Sequence, residues 1–195
     1  SKNIEVVASK VDQSTRASVN EHQSGIIWLT GLSGAGKSTI ALETERQLFQ
    51  KGYQVYVLDG DNIRFGLSAD LGFAPEDRTE NIRRIGEVAK LFADAGILVI
   101  TAFISPYRDD RDRVRAIAPD LFHEVFVKAD LSTCETRDPK GLYAKARRGE
   151  IEDFTGISAP YEEPNEAELV IDTGEESIDQ SVARLIDYVS SNFKL

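Results

Sequence analysis

Residues 26–38 read Ile-Ile-Trp-Leu-Thr-Gly-Leu-Ser-Gly-Ala-Gly-Lys-Ser, an apolar run followed by a glycine-rich stretch and a lysine. The apolar residues 26–30 predict a short buried strand. Residues 37–51 then carry apolar side chains at helical spacing, and Gly52 marks the end of that helix. The stretch therefore predicts a strand that passes through a glycine-rich turn directly into a helix.

The rest of the chain repeats this alternation of strand and helix. Further strands are expected at residues 55–58, 97–103, 125–127 and 169–171, and further helices at residues 82–95 and 178–189. Such alternation indicates an α/β fold with a mainly parallel five-stranded sheet and helices on both faces, that is, three layers. Residues 1–24 are polar and are expected to form an N-terminal arm that packs loosely or orders against a partner, and residues 25–195 are expected to form one domain.

Composition excludes several classes of protein. The 195 residues include 33 acidic and 23 basic side chains, so the net charge of −10 argues against a nucleic-acid partner or an anionic membrane. The single cysteine, Cys134, has no partner for an intramolecular disulfide, and two histidines are too few for a histidine-based metal site. No apolar run reaches membrane-spanning length and the first residues do not resemble a signal peptide, so we expect a cytoplasmic protein.

The glycine-rich turn predicts a phosphate site. Residues 31–38 match the P-loop pattern G-x-x-x-x-G-K-[ST] at every fixed position, between a predicted strand and a predicted helix. Glycines let backbone N–H groups surround phosphate oxygens, and the helix adds its unpaired N–H groups and positive dipole end. Lys37 is expected to reach the β- and γ-phosphates of a nucleoside triphosphate, and Ser38 to ligate Mg²⁺. The predicted nucleotide-binding residues are Gly31, Leu32, Ser33, Gly34, Ala35, Gly36, Lys37, Ser38 and Thr39.

Two carboxylates follow the second predicted strand, in the order Asp59-Gly60-Asp61. Ligands of open α/β sheets bind beyond the carboxyl ends of the strands, so these side chains should face the phosphate site. There, the two carboxylates can hold hydrated Mg²⁺ and accept a proton from an attacking hydroxyl. The simpler interpretation is an Asp-Gly-Asp turn selected for its backbone preferences.

A second anion site is predicted downstream of these carboxylates. Arginine suits bidentate contact with phosphate or sulfate, and Arg64 and Arg78 follow Asp61 closely, together with Asn81. Phe73 and Phe154 are aromatic residues in polar loops that could stack on a base. The basic residues 137–148 could form a lid that excludes water. The alternatives are a solvated helix face for the charges, satellite core packing for the phenylalanines and an exposed helix for the lid.

Six strings of residues, in order and without large gaps, resemble the adenylylsulfate kinase (APS kinase) family of P-loop kinases. They are TGLSGAGKST (30–39), LDGDNIRFGL (58–67), DLGFAPEDRTENIRRIGEVAKLFADAG (70–96), FISPYRDDR (103–111), RDPKGLYAKARRGEI (137–151) and FTGISAPYEEP (154–164). The P-loop alone is shared by many functions, whereas the combination of DGDNIR, ENIRR and FISPYR is typical of this family. The resemblance implies a three-layer P-loop NTPase-type fold.

The resemblance also implies a reaction and the residues that serve it. The γ-phosphoryl group of ATP would pass to the 3′-hydroxyl of adenosine 5′-phosphosulfate, with Mg²⁺ as cofactor and a homodimer as the assembly. Asp61 resembles the base, and Ser105 resembles a serine that the family can carry as phosphoserine. Arg137 resembles the residue against the ATP adenine. The residues that resemble acceptor-binding positions are Asp61, Arg64, Phe73, Arg78, Asn81, Ile104, Ser105, Lys140 and Phe154, with Phe73 and Phe154 as the two faces of an adenine sandwich.

Other interpretations of the same residues stay open at this point. Another small-molecule P-loop kinase would act on a sugar, on shikimate or on a nucleoside monophosphate, and the choice of acceptor would distinguish it. A nucleotide-switched binding module of the GTPase type would need an Asn-Lys-x-Asp string, which the chain lacks. An inactive regulatory relative is disfavoured because Lys37, Ser38, Asp59 and Asp61 are all present.

Overall fold

The computed structural model describes residue 5 and residues 7–194. Its strands are β1 (Gly25–Thr30), β2 (Val55–Asp59), β3 (Leu98–Ala102), β4 (Phe122–Lys128) and β5 (Leu169–Asp172). Its helices are α1 (Gln13–Asn20), α2 (Lys37–Gln50), α3 (Gly60–Phe65), α4 (Pro75–Asp94), α5 (Arg108–Ile117), α6 (Leu131–Arg137), α7 (Leu142–Arg147) and α8 (Ile178–Asn192). All five strands predicted from the sequence are present.

The five strands form one parallel sheet in the order β2-β3-β1-β4-β5. In the register of this sheet, Leu29 and Asp59 both pair with Ala102, so β1, β2 and β3 end at the same edge. The chain leaves β1 at the point where the strand order reverses, which is where open α/β sheets bind ligands. The phosphate loop and the carboxylates after β2 therefore lie on one edge of the sheet.

The core consists of two layers, one on each face of the sheet. Ile27 and Leu29 of β1 point to the face covered by α2 and α8, whereas Ile26 and Trp28 point to the face covered by α4 and α5. This alternation follows the period of two along a strand. All four side chains are fully buried, which agrees with the continuous apolar run in the sequence. The three-layer α/β architecture is confirmed.

The N-terminal segment differs from its prediction. The structure shows helix α1, capped by Asp12, packed on the domain with Ala17 buried. The Asn20 amide donates to the Gly96 carbonyl at 2.9 Å, and buried His22 accepts from the backbone N–H of Gln54 at 2.8 Å. The expectation of a loosely packed arm over residues 1–24 is therefore wrong for α1 and His22, because polar bonds dock this segment. Residues 1–4 and 6 lie outside the described residues.

Within the described part of the chain, none of the helices combines the length and the hydrophobicity that a membrane span requires.

Candidate active site

The phosphate loop after β1 has the backbone that only its glycines allow. Gly31, Gly34 and Gly36 have φ values of 152°, 77° and 101°. A Cβ atom on Gly31 would lie 2.3 Å from the carbonyl oxygen of Val127, so a side chain cannot be accommodated there. The loop therefore approaches the end of β4 closely, and its tight turn places Lys37 at the start of α2.

Lys37 is a buried cation at this loop. The residue is only 8% exposed. Its Nζ donates to the carbonyl oxygens of Gly31 at 2.8 Å and Leu32 at 2.7 Å. Burial disfavours the ammonium form and lowers the pKa of Lys37 to about 8. A phosphate that binds to this ammonium would have to compete with two carbonyl oxygens.

Two residues that the sequence did not single out fix the outer side of the loop. The Tyr143 hydroxyl of α7 donates to the Ser33 carbonyl at 2.9 Å. The Thr173 hydroxyl, directly after β5, donates to the Ala35 carbonyl at 2.8 Å. Arg137 at the end of α6 donates to the Thr173 hydroxyl at 3.1 Å, so it lies beside the loop. Tyr143 lies in the string RDPKGLYAKARRGEI (137–151) together with Arg137, and membership of that string was the sequence signal available for Tyr143.

Ser38 and Asp59 meet at the carboxyl edge of the sheet. The Ser38 hydroxyl donates to Asp59 Oδ2 at 2.6 Å, and Asp59 Oδ1 accepts from the backbone N–H of Asp61 at 3.1 Å as the cap of α3. Hydroxyl and carboxylate oxygens are ligands that suit Mg²⁺, which usually keeps waters and substrate phosphates as its other ligands. The pair therefore fits a magnesium ion shared with a nucleotide. No cluster of three or more His, Cys, Asp or Glu side chains among the described residues could hold a metal by itself.

Asp61 pairs with Lys140 across the site. Lys140 lies in the basic segment between α6 and α7, and its ammonium forms an ion pair with Asp61 Oδ2. Both side chains are more than half exposed, at 66% for Asp61 and 55% for Lys140. The structure thus brings the predicted base and the predicted lid lysine together from positions 79 residues apart.

Arg64 and Phe73, two of the residues predicted to bind the acceptor, stack on each other. The Arg64 guanidinium lies over the Phe73 ring, with Cζ 4.3 Å from the ring centroid, and donates to the Gly72 carbonyl at 2.8 Å. Partial burial lowers the pKa of Arg64 from its ordinary high value, and the nearby Arg78 cation adds to this effect. Phe73 itself is 64% exposed, so one face of its ring remains available for contact with a ligand.

Arg78 joins the two phenylalanine-bearing segments. From the first turns of α4, it donates to the Phe73 carbonyl at 2.8 Å and to the Thr155 hydroxyl at 2.6 Å, and it also bonds to the Asp153 carbonyl. Phe154, between Asp153 and Thr155, is buried. Its ring packs edge-on against that of Tyr143, with the ring centroids 5.0 Å apart. The two predicted stacking residues thus share one arginine but differ in exposure.

Asn81 is an incompletely bonded polar side chain on the same helix. The residue is 4% exposed, and Oδ1 has no hydrogen-bond partner among the described residues. A buried amide oxygen without a donor costs free energy, and native proteins rarely leave one without a function. This orphaned acceptor is consistent with a ligand hydroxyl as its partner.

Ser105 lies inside the protein rather than on its surface. The residue is 2% exposed, and its hydroxyl accepts from the Trp28 indole N–H at 3.1 Å. The preceding residue, Ile104, has its carbonyl bonded by the Thr30 hydroxyl at 2.7 Å. A phosphoserine at position 105 would require this buried hydroxyl to leave the indole, so the geometry favours a structural role for the side chain.

Comparison with known proteins identifies the family. The sequence profile of the family described as "Adenylylsulphate kinase" matches residues 23–172. The adenylyl-sulfate kinase of Bacillus pumilus is 65% identical over 176 residues, which cover 90% of this chain and 89% of the relative.

Solved structures give the same result. The APS kinase of Mycobacterium tuberculosis, solved in complex with AMPPNP and APS, has a TM-score of 0.81 and 50% identity, covering 85% of this chain and 96% of that chain. A hexameric APS kinase from Thiobacillus denitrificans has a TM-score of 0.68 and 33% identity, covering 92% of this chain and 30% of that one. With the phosphate loop at the edge of a parallel sheet and the profile match over most of its length, the chain belongs to the adenylylsulfate kinase family.

Proposed function

We propose that this enzyme transfers the γ-phosphoryl group of ATP to the 3′-hydroxyl of adenosine 5′-phosphosulfate, giving 3′-phosphoadenosine 5′-phosphosulfate and ADP. The observation that carries the proposal is the common edge of the sheet where the phosphate loop meets the carboxylates after β2. A donor nucleotide on the loop and an acceptor beside Asp61 would then lie on adjoining parts of one site. Family membership makes the chain an ATP-dependent kinase.

The donor side binds and orients the triphosphate. The N–H groups of the phosphate loop and of the first turn of α2 surround the phosphates, and Lys37 supplies a buried positive charge. Arg137, held beside the loop by Thr173, contacts the adenine. Ser38 and Asp59 would hold Mg²⁺, Asp59 through a water in this proposal, and the ion would supply positive charge to the bound phosphates.

The acceptor side holds the second nucleotide and removes its proton. Asp61 accepts the proton of the 3′-hydroxyl. The ammonium of Lys140, which pairs with Asp61, stabilises negative charge at this part of the site. Phosphoryl transfer passes through a loose transition state, so positioning and electrostatic stabilisation supply most of the catalysis. Transfer is direct and in line, without a phosphoserine intermediate at Ser105.

Recognition of the acceptor requires contacts from several segments. Arg64, Arg78 and Asn81 hold the phosphosulfate and the ribose, and the orphaned amide oxygen of Asn81 accepts from a hydroxyl. Phe73 and Phe154 contact the two faces of the adenine. The backbone of Ile104 and Ser105 contacts the same nucleotide.

The proposal extends to the oligomeric state and the cellular location of the protein. We propose a homodimer in the cytoplasm, with no nucleic-acid or membrane partner. The hexameric Thiobacillus denitrificans relative makes the oligomeric state a point to measure directly. Size-exclusion chromatography with light scattering gives two chain masses for a homodimer, and six would contradict the proposal.

The experiment that tests the reaction measures ADP release from Mg·ATP with different acceptors. Adenosine 5′-phosphosulfate is compared with AMP, shikimate and gluconate at equal concentrations. Turnover with adenosine 5′-phosphosulfate alone is the expected result. Turnover with shikimate or gluconate would assign the chain to another class of small-molecule kinase, and turnover with AMP alone would overturn the role of the sulfate.

A further inference from the structure

Arg111 is the most enclosed cation of the acceptor side, and no step described above uses it. The residue lies on α5 and is 2% exposed. Its guanidinium donates through Nε to Glu124 at 2.6 Å, through one terminal nitrogen to the Ser105 carbonyl at 2.7 Å, and through the other to the Glu162 carbonyl at 2.7 Å. One side chain therefore joins β4, the loop after β3 and the segment after Phe154.

In the loop that Arg111 contacts, the described part of the chain bonds to the backbone carbonyls but not to the backbone N–H groups. The carbonyls of Ile104 and Ser105 are both bonded by the protein: the Thr30 hydroxyl donates to both, at 2.7 and 3.3 Å, and Arg111 donates to the second. In contrast, the backbone N–H groups of Ile104 and Ser105 have no acceptor among the residues that the structure describes. These two donors are therefore left for a ligand.

The backbone at Ser105 also needs support. Its φ of 40° lies in the left-handed region, which non-glycine residues adopt only where surrounding contacts enforce it. Those contacts are the Trp28 indole on the hydroxyl and, on the carbonyl, the Arg111 guanidinium at 2.7 Å and the Thr30 hydroxyl at the longer distance of 3.3 Å. Loss of the guanidinium would leave the carbonyl with only the longer bond from Thr30, so the Ser105 peptide could shift and the two unpaired N–H groups would move with it.

We propose that Arg111 is a positioning residue that holds the loop of Ile104 and Ser105 with its carbonyls inward and its N–H groups free for the acceptor nucleotide. The inference rests on the proposed function, in which that nucleotide contacts this backbone. Glu124 holds the guanidinium in place, and the bond to the Glu162 carbonyl ties the same arginine to the segment that follows Phe154. Arg111 thus acts on substrate affinity without touching the substrate.

The competing explanation is that Arg111 and Glu124 form an ion pair that serves stability alone. Kinetics separates the two explanations, because a structural defect lowers the melting temperature and the active fraction without selecting one substrate. Arg115 provides the matched control. It lies one turn further along α5 and pairs with Glu168 at 2.5 Å and, at the longer distance of 3.6 Å, with Glu124, but among the described residues it has no hydrogen bond to the loop.

The test compares Arg111→Lys with Arg115→Lys in the 195-residue chain. Lysine keeps a charge for Glu124 but cannot bond three acceptors in a plane. We expect the KM for adenosine 5′-phosphosulfate to rise about 10–100-fold in Arg111→Lys, the range for loss of a hydrogen bond to a charged group, with the KM for ATP within about twofold. Arg115→Lys should leave both KM values within about twofold. Equal changes in both KM values, or a lower melting temperature with unchanged KM values, would overturn the inference.

A second variant covers the case in which Arg111→Lys does not fold. Replacing both members of a buried ion pair by apolar residues avoids leaving one charge unpaired and is often tolerated. Arg111→Met combined with Glu124→Leu should therefore fold and show the same selective rise in the acceptor KM; an unchanged acceptor KM contradicts the inference. The wild-type chain in the same assay separates the two claims. If it does not phosphorylate adenosine 5′-phosphosulfate, the proposed function fails and the inference fails with it, whereas failure of the variants alone removes only the inference.

Discussion

The proposed donor side of the site comes from consecutive residues 31–38, whereas the proposed acceptor side takes its side chains from segments spread between Asp61 and Phe154. On the donor side the backbone makes the site, since glycines with positive φ shape the loop and Lys37 bonds to its carbonyls. On the acceptor side the side chains make the site, and most of them already bond to protein groups, such as Asp61 to Lys140.

This difference indicates what each nucleotide has to change on binding. In the proposed site the triphosphate would meet a loop whose backbone depends on glycines with positive φ and on close contact with β4. In the proposed site the acceptor would meet an ion pair at Asp61 and an arginine, Arg78, that already bonds to three protein oxygens. We therefore expect donor binding to exchange hydrogen-bond partners mainly at the Lys37 ammonium, and acceptor binding to exchange them at several side chains.

The largest effect is expected on the acceptor side, at the base. Asp61→Asn keeps the shape of the side chain but removes its ability to accept the proton, so kcat should fall about 10²–10⁴-fold. The dissociation constant for ATP, measured by calorimetry, should change little because the donor side is intact. Asp70→Asn serves as control, since that carboxylate pairs with Arg84 on the surface and should leave kcat unchanged. A loss of less than tenfold in Asp61→Asn would remove the residue from the chemistry.

The donor side can be disrupted through its backbone. Gly31→Ala adds a Cβ that would lie 2.3 Å from the Val127 carbonyl, on a residue with φ of 152°. Steric overlap of about 1–3 kcal/mol and backbone strain of about 1–2 kcal/mol should lower the melting temperature by about 5–15 °C and abolish tight ATP binding.

The matched control for this substitution is Gly52→Ala. Gly52 also has positive φ, at 92°, but a Cβ there meets no atom within 4 Å. Only the strain of about 1–2 kcal/mol applies, and ATP affinity should stay at the wild-type value. Equal melting temperatures for the two variants would show that the close approach to Val127 is not a constraint.

A side-chain change should affect the acceptor alone. Phe73→Ala removes a ring that is 64% exposed, so the fold should be unaffected. Loss of one stacked base costs about 1–3 kcal/mol, which predicts a rise of about 5–150-fold in the KM for adenosine 5′-phosphosulfate at constant KM for ATP. Phe65→Ala, in a residue 91% exposed, should change neither KM. Matching KM values for the two variants would mean that Phe73 does not contact the base.

A smaller effect is expected in the pH dependence of kcat/KM for ATP, which depends on the donor side. Burial lowers the pKa of Lys37 to about 8, so its ammonium loses its proton as the pH rises through that value. The kcat/KM for ATP, which reports the unbound enzyme, should then fall about tenfold per pH unit above about 8.

Unfolding does not explain such a fall. Because the pKa of Lys37 is lower in the folded chain than its ordinary value of 10.5, the unfolded chain binds more protons between these values. The contribution of Lys37 to stability therefore increases with pH in that window. Melting temperatures recorded at each pH provide the check, and a kcat/KM for ATP that stays flat to pH 10 would contradict the buried ammonium.

Contiguous patterns could be predicted from the sequence. The five strands and the phosphate loop follow from periodicity and from glycine spacing within short windows, and all are present. Helix α1 was missed because it docks through polar bonds, such as that from Asn20, and through one small side chain, Ala17. Hydrophobic periodicity carries no signal for such a contact.

Pairing between distant segments could not be predicted. Arg111 and Glu124 are 13 residues apart, in α5 and β4, and their contact depends on packing that one sequence does not specify. Phe73 and Phe154 are both aromatic residues in polar loops, yet only Phe73 is exposed, since Phe154 packs against Tyr143. Exposure of a loop residue depends on which element covers it, and that is a tertiary property.

The most direct test locates the transferred phosphate. The wild-type chain is incubated with adenosine 5′-phosphosulfate and Mg·ATP whose γ-phosphoryl group carries an oxygen-isotope label. The position of the labelled phosphoryl group on the product is then read by phosphorus NMR. We predict label on the ribose 3′-oxygen in the wild type and almost none in Asp61→Asn. Label on another oxygen of the nucleotide, or release of the label only as inorganic phosphate, would contradict a site in which Asp61 prepares the 3′-hydroxyl for the phosphoryl group held by the loop.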